Sequence, residues 1–277
     1  LTIDMGLYQS LMEEQKERAR IASNFVSLIP ESLNLDSQTD FVGYENSSSS
    51  SSIVRIISQT KEDFLEEEQE GIFIIGETPF YAESGGQVGD KGMITSDTNI
   101  FEVYDTQKKG DHFLHLGVVK SGVFKEGDSV FAEIDSTHRE RVSKNHSATH
   151  LLHSALRETL GTHVEQKGSL VDQYKLRFDF SHKGPINAEE MSKIEQVVQE
   201  EIFKDTSPNT KLMSFEEAKK TGALAFFGEK YGDEVRVVNI GNGFSVELCG
   251  GTHVKSTSAI GLMKVTSETG VSAGVRR

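Results

Sequence analysis

Residues 71–135 read GIFIIGETPF YAESGGQVGD KGMITSDTNI FEVYDTQKKG DHFLHLGVVK SGVFKEGDSV FAEID, and this stretch sets the architecture. Short runs rich in branched and aromatic residues (IFII at 72–75, MIT at 93–95, FEVYD at 101–105, FLHLGVV at 113–119, SVFAEID at 129–135) alternate with Gly, Asp, Lys and Ser clusters. Runs of this length favour strands, because such side chains pack well on a pleated surface while glycine and aspartate close the reversals. The spacing predicts a small antiparallel barrel or sandwich ending near Asp135. Within it, TPFYAESGGQVGD (78–90) has neither the GxxxxGK pattern nor the following helix of a phosphate-cradling loop. Gly85, Gly86 and Gly89 therefore read as turn or bulge positions, with Glu83, Ser84 and Gln87 presented outward.

Downstream the period changes. A helix is expected to open with Thr137 and Glu140 in capping-box spacing and to run through Leu151, Leu152, Ala155 and Leu156 to Gly161. A second starts at Asn187 with Glu190 three on, carrying Met191, Ile194, Val197, Val198 and Ile202 as one apolar stripe. A third begins near Ser214 with Glu217 and closes at Gly222. VRVVNI (235–240), FSVEL (244–248) and GLMKVTSE (261–268) read as strands. The chain is thus α+β: a small antiparallel β-barrel followed by an α+β layer domain.

Upstream, Leu1 to Arg20 (LTIDMGLYQSLMEEQKERAR) reads as a charged amphipathic helix without a signal-peptide pattern, and the start at Leu1 suggests a piece of a longer polypeptide. The unbroken serines Ser47 to Ser52 and the acidic run Glu62 to Glu70 offer little apolar area, so a solvated loop and an exposed face are expected there. The domains expected are a helical segment over 1–35, a barrel with a Ser-rich loop over 36–135, and a layer domain over 136–277.

The 277 residues carry 29 Lys and Arg against 43 Asp and Glu, a formal charge of −14. That balance excludes a charge-driven nucleic-acid coat and a polybasic membrane binder, and no DNA or membrane partner is expected. The charge is uneven. Residues 1–70 hold 14 acids and 5 bases, whereas Arg141 to Lys183 holds seven bases, four acids and five histidines, the one region that would welcome an anionic backbone. A single cysteine, Cys249, excludes an internal disulfide and points to a reducing compartment such as the cytoplasm.

The chemistry-bearing pattern is NHSATH at 145–150. On a helix His146 and His150 share one face, about 5–6 Å apart at Cβ, close enough to hold one ion. Alone, such a pair is a weak signal and reads more readily as packed or surface histidines. CGGTH at 249–253 supplies a second pair, because a Gly-Gly turn after the strand folds Cys249 and His253 toward a common point. One thiolate and three imidazoles suit Zn²⁺ better than Mg²⁺ or Ca²⁺. Four protein ligands make a closed, structural site; one loose ligand would open a position for water. Cys249 as a covalent nucleophile beside His253 is the competing reading. His153, on the same face, reads as a packed or supporting histidine, and His163 and His182 as ordinary.

Taken together, TPFYAESGGQVGD, NHSATHLLHSALRETLGTHVEQKGSLV, LRFDFSH, FGEKYGDEVRVV and VELCGGTHV, in this order, resemble the editing region of the alanyl-tRNA synthetases and of their free-standing relatives that deacylate mischarged tRNA. The dense match covers roughly 70–277. Residues 1–45 resemble the synthetase segment leading into the barrel, which favours the synthetase. The resemblance implies a zinc-containing editing domain, with His146, His150, Cys249 and His253 as ligands and Thr149 and Gln166 as the residues that discriminate and hydrolyse the wrong aminoacyl ester. It implies the acceptor end of tRNA(Ala) as partner, hydrolysis of Ser-tRNA(Ala) and Gly-tRNA(Ala), and ATP and Mg²⁺ only in an aminoacylation domain outside this chain. A zinc-stabilised acceptor-stem binding module without turnover is the alternative. From the residues alone, Thr149 reads equally as a helix threonine bonded to its own backbone, and Gln166 as a solvated loop residue. Arg276, Arg277 and Lys264 are candidates for the acceptor stem, or else an exposed basic cluster. The serine run departs from the family's pattern.

Overall fold

The computed structural model describes residues 5, 6, 12, 38–60, 62–224 and 232–277. Apart from residues 5, 6 and 12, the helix expected over 1–20 and the 1–35 segment lie outside them, as does part of the FGEKYGDEVRVV motif. The chain divides into two compact units, Leu1–Ala82 with Asp90–Ile134, and Glu83–Gly89 with Asp135–Arg277.

The first unit contains a closed antiparallel barrel. Its strands are β1 (Ser48–Ile57), β2 (Glu70–Ile75), β3 (Gly92–Ser96), β4 (Asn99–Lys109), β5 (His112–Ser121) and β6 (Ser129–Ile134), ordered β6-β1-β2-β5-β4-β3 and closing back on β6. Alternate residues point inward, as the strand period requires. Phe73, Ile75, Ile94, Phe101, Val103, Val119, Phe124 and Val130 fill the interior, with Phe73 and Phe101 stacked at 3.8 Å between centroids. The continuous run IFII is buried on both faces: Ile72 and Ile74 join Leu114 and Leu116 in a separate cluster.

Two expectations fail here. The serine run is not a loop, since Ser48 to Ser52 pair with Glu133 to Ser129 along β6. A strand needs a satisfied backbone ladder more than a large side chain, and β6 supplies one to the serines; the Ser51 hydroxyl also accepts the Glu77 N–H at 2.8 Å. Nor is the acidic run merely an exposed face. Phe64–Glu66 pairs with Val123–Lys125, and Leu65, flanked by acids in sequence, is 1% exposed in the barrel core.

The second unit contains α1 (Ser136–Leu160), β7 (Gln166–Val171), β8 (Leu176–Ser181), α2 (Ala188–Phe203), β9 (Asn209–Ser214), α3 (Phe215–Lys220), β10 (Glu234–Ile240), β11 (Ser245–Leu248), β12 (Gly270–Ser272) and β13 (Val275–Arg276). The strands form two antiparallel sheets, ordered β7-β8-β13-β12 and β9-β10-β11. Leu151, Leu152, Ala155 and Leu156 of α1 pack with Ile194, Val197, Val198 and Ile202 of α2, Phe178 and Phe180 of β8, and Val238 and Ile240 of β10.

The capping boxes at Asn187/Glu190 and Ser214/Glu217 form as the sequence predicts. The one at Thr137/Glu140 does not: Asp135 Oδ1 accepts the Thr137 and His138 N–H groups and caps α1 one turn's edge earlier, a charged acceptor at the positive helix end. Gly161 ends α1 with φ near 116°. GLMKVTSE is not a strand. Residues 261–268 run without a ladder, Val265 N–H donating instead to Glu195 of α2. Glu83–Gly89, which sequence order would leave in the barrel, belongs to this second unit.

Candidate metal centre

Both half-sites are built from unlike local structures. Helix α1 carries His146 and His150 one turn apart, their rings stacked at 5.3 Å between centroids. Strand β11 delivers Cys249 just past its end, and the turn Gly250–Thr252 returns His253 to the same point. A Cβ on Gly251 would lie 2.0 Å from His146 Cε1, so only glycine lets the turn pass that ring. Cys249 Sγ is 3.4 Å from His146 Nε2 and 3.4 Å from His253 Nε2. One donor atom from each of His146, His150, Cys249 and His253 lies within 4.8 Å of all the others.

Each imidazole has a polar neighbour at its other nitrogen. His146 Nδ1 donates to Gln87 Oε1 at 2.6 Å, His150 Nδ1 lies 3.0 Å from Glu247 Oε2, and His253 Nδ1 meets the Ser147 hydroxyl at 3.2 Å. Fixing Nδ1 in this way turns Nε2 toward the shared point, which is how outer partners orient metal ligands. His150 Nδ1 and Nε2 are both buried without a hydrogen-bond partner among the described residues, so Nδ1 meets Glu247 as an ion-pair contact and Nε2 has nothing opposite it. A buried orphan of this kind costs about 1–3 kcal/mol unless something fills it.

The donor set fits a tetrahedral ion. Zn–S near 2.3 Å and Zn–N of 2.0–2.1 Å put sulfur and nitrogen about 3.6 Å apart at a tetrahedral angle, against the 3.4 Å found. The cluster could hold a metal ion and is compatible with zinc.

Burial raises the Cys249 thiol, but the neighbouring His146 and His150 charges outweigh it and hold the group well below its ordinary value. Burial depresses His150, yet Glu247 and the Cys249 thiolate push it up; Glu247 in turn is held low against its own burial, with His150 and His153 as the cause. His253 is driven by burial down to about 4. Neutral imidazole and thiolate are the ligating forms, so Cys249 and His253 already favour theirs, whereas His150 must release a proton before it can ligate.

Glu247, not singled out by the spacing argument, is the residue that ties the histidine face together. Its Oε1 accepts from His153 Nδ1 at 3.0 Å and from the Ser245 hydroxyl at 3.0 Å, while Oε2 faces His150. His153 is thereby a supporting histidine, as its place on the helix suggested. An acid alternating with apolar neighbours in VEL, on a strand ending at the cysteine, was the available signal. Gln87 does not face outward as the turn pattern predicts: it is fully buried and points inward, while Glu83 and Ser84 are exposed.

The other predicted positions are placed differently. Thr149 is buried on α1 beside His150, and its hydroxyl donates to Asn145 O at 2.9 Å, the bond to its own helix. Gln166 is half-buried and opens strand β7 opposite Phe180, rather than sitting in a loop. Arg276 pairs with Glu268, Arg277 with Asp179 and Lys264 with Glu195, so these bases already have acidic partners. His163 and His182 bond each other at 2.9 Å on the surface. Among the described residues no helix is long and apolar enough to cross a membrane.

Comparison with known proteins matches this arrangement. The family described as tRNA synthetases class II (A) matches residues 1–138, and that described as Threonyl and Alanyl tRNA synthetase second additional domain matches residues 235–277, which carry Glu247, Cys249 and His253. The alanine–tRNA ligases of Saccharophagus degradans and Idiomarina loihiensis are each 49% identical over 278 residues, and that of Methylococcus capsulatus 48% over 279, in each case across 100% of this chain. The chain belongs to the alanyl-tRNA synthetase family. It spans about a third, 32%, of the length of those relatives. The two family matches thus cover the whole barrel and the turn half of the metal centre, and the alanine–tRNA ligase relatives match the whole chain.

Proposed function

We propose that this chain is the editing region of an alanine–tRNA ligase and that it hydrolyses the ester of Ser-tRNA(Ala) and Gly-tRNA(Ala). The observation that carries the reading is the convergence of three oriented imidazoles and one thiolate, in a chain nearly half identical to alanine–tRNA ligases along its full length. His146, His150, Cys249 and His253 would hold Zn²⁺, which when bound supplies a fixed positive charge that anchors and polarises an electron-rich substrate. The ligase activity with ATP belongs to the longer relatives and is proposed for the whole protein only.

A chemical need supports the assignment. A pocket for alanine rejects glycine poorly and serine poorly, since one methyl or one hydroxyl is worth only about 10²-fold, so a second hydrolytic sieve is required. The residues of the chain divide the work. Glu247 and Gln87 orient ligand imidazoles. Thr149, next to His150, is the group proposed to meet the seryl hydroxyl, and in doing so its hydroxyl would exchange its Asn145 carbonyl for substrate. Gln166, at the mouth of β7, is proposed to present amide donors to the ester end. The basic excess over Arg141 to Lys183 favours the acceptor-end phosphates of tRNA(Ala).

One observation favours a second reading. Four protein donors complete a tetrahedron, as in structural sites, which would make the region a zinc-stabilised acceptor-stem binder. Incubation of the chain with Ser-tRNA(Ala) decides: ester loss well above buffer, abolished by Gln166→Ala, supports editing, whereas tight tRNA binding with ester loss at the buffer rate supports the binder.

A further inference from the structure

One side-chain amide touches both halves of the metal centre from a third segment of the chain. Gln87 Oε1 accepts from His146 Nδ1 at 2.6 Å, on α1, and from the Thr252 backbone N–H at 3.0 Å, inside the CGGTH turn. Because a backbone N–H only donates, the oxygen of the amide must face it, which settles the orientation of the group. His146 Nδ1 facing that same oxygen must then be the protonated nitrogen, leaving the Nε2 lone pair toward Cys249. Gln87 Nε2 donates to Thr252 Oγ1 at 3.0 Å, and that hydroxyl is 2.9 Å from Ser143 Oγ, back on α1.

The loop around Gln87 is itself anchored. Ser84 and Gln87 exchange backbone hydrogen bonds, Val88 N–H donates to Val171 O at 3.1 Å, and Val171 N–H donates to Gly86 O at 2.7 Å. Two glycines make the approach possible. Gly86 sits at φ +85° with the space for a Cβ taken by Ser169 O at 2.7 Å, and a Cβ on Gly251 would come within 2.8 Å of Gln87 Oε1.

We propose that Gln87 is a positioning residue that clamps the helix half-site to the turn half-site, so that order in the 83–89 loop and occupation of the metal centre are coupled. The inference rests on the metal reading above. A buried amide satisfied by an imidazole and a turn amide, both one bond network away from the donor atoms, holds His146 in the one tautomer that can ligate through Nε2. By linkage, an ion that fixes His146 and the turn must also stabilise the loop that grips them, and loosening the loop must weaken the ion by the same factor.

The test uses the 277-residue chain with Gln87→Ala and Gln87→Glu, reading Zn²⁺ affinity by chelator competition, the absorption of the Co²⁺-substituted protein, and hydrogen exchange over 83–89 with and without Zn²⁺. The alanine variant is expected to lose about 10- to 100-fold in Zn²⁺ affinity, with an altered cobalt spectrum. The glutamate variant, which still accepts from both donors, recovers most of the loss. In the parent, Zn²⁺ slows exchange across 83–89. An alanine variant that binds Zn²⁺ as tightly as the parent with the same cobalt spectrum overturns the clamp and leaves the metal reading standing. A parent with no thiolate-to-cobalt band overturns both. Should the alanine variant not fold, Gln87→Glu decides alone: zinc-dependent protection of 83–89 supports the coupling, and its absence overturns it.

Discussion

Replacing Glu247 by glutamine changes one oxygen to an NH₂ group at nearly constant volume, in a site where the side chain is 3% exposed. The carboxylate accepts from His153 Nδ1 and Ser245 Oγ at 3.0 Å each and faces His150 Nδ1 at 3.0 Å. An amide offers only one acceptor oxygen, so whichever way it turns, one histidine N–H meets another N–H. If that histidine is His150, its ring must flip tautomer, which puts the proton on Nε2, or rotate, which takes Nε2 from the shared point. Loss of such an orienting partner typically weakens metal binding about 10- to 100-fold, or roughly 1.4–2.7 kcal/mol. In the metal-free chain the same change removes a charge-assisted bond worth about 1.5–3 kcal/mol. The assay is Zn²⁺ competition against a chelator of known affinity, paired with thermal unfolding in excess chelator. A Glu247→Gln chain with parent-like Zn²⁺ affinity and an unshifted metal-free transition would refute the claim that Glu247 orients His150.

Gly251→Ala places a methyl 2.0 Å from the His146 ring, so bound zinc measured in the purified protein should fall well below one equivalent while the barrel stays folded by circular dichroism. His115, buried in the barrel between Phe73 O at 2.9 Å and the Thr78 hydroxyl at 2.7 Å, is held down by burial at about 4 against an ordinary 6.5. The unfolded chain therefore binds the proton first, so the stability this neutral group contributes is present above pH 6.5 and lost as pH falls toward 4. The loss amounts to about 3 kcal/mol, read as faster hydrogen exchange in the barrel strands, and His115→Gln should flatten the dependence. Leu65→Ala opens a cavity in the barrel core and should cost about 2–5 kcal/mol in urea unfolding; a cost under about 0.5 kcal/mol would mean the residue is not packed as found.

Legibility followed how local each signal was. The runs IFII, FEVYD and FLHLGVV announced barrel strands because apolar branched residues have no helical place there, and the Asn187 and Ser214 caps were readable because a capping box closes within four residues. Ser48–Ser52 was not readable as a strand, since its pairing lies with β6 about eighty residues away and its own side chains bury little. Leu65 failed for the same reason: acids on both sides dominate composition, while one inward side chain and the ladder to Val123–Lys125 decide the structure. Residues 261–268 look like a strand by composition and find no ladder, because Glu195 of α2 takes the Val265 N–H.

The candidate metal ligands divide along the same line. Helical spacing alone puts His146 and His150 on one face, and a Gly-Gly turn alone lets Cys249 and His253 converge, so residue type and short-range geometry determined the donor set and the preference for a soft-to-borderline ion. That the two pairs meet, that Glu247 and Gln87 lie against the Nδ1 atoms of His150 and His146, and that Glu83–Gly89 joins the second unit were decided only by tertiary structure. The reason is physical. A ligand's identity is a property of one residue, but the direction of its lone pair depends on a hydrogen bond from a residue 59 positions away, and no local pattern in the chain encodes that distance.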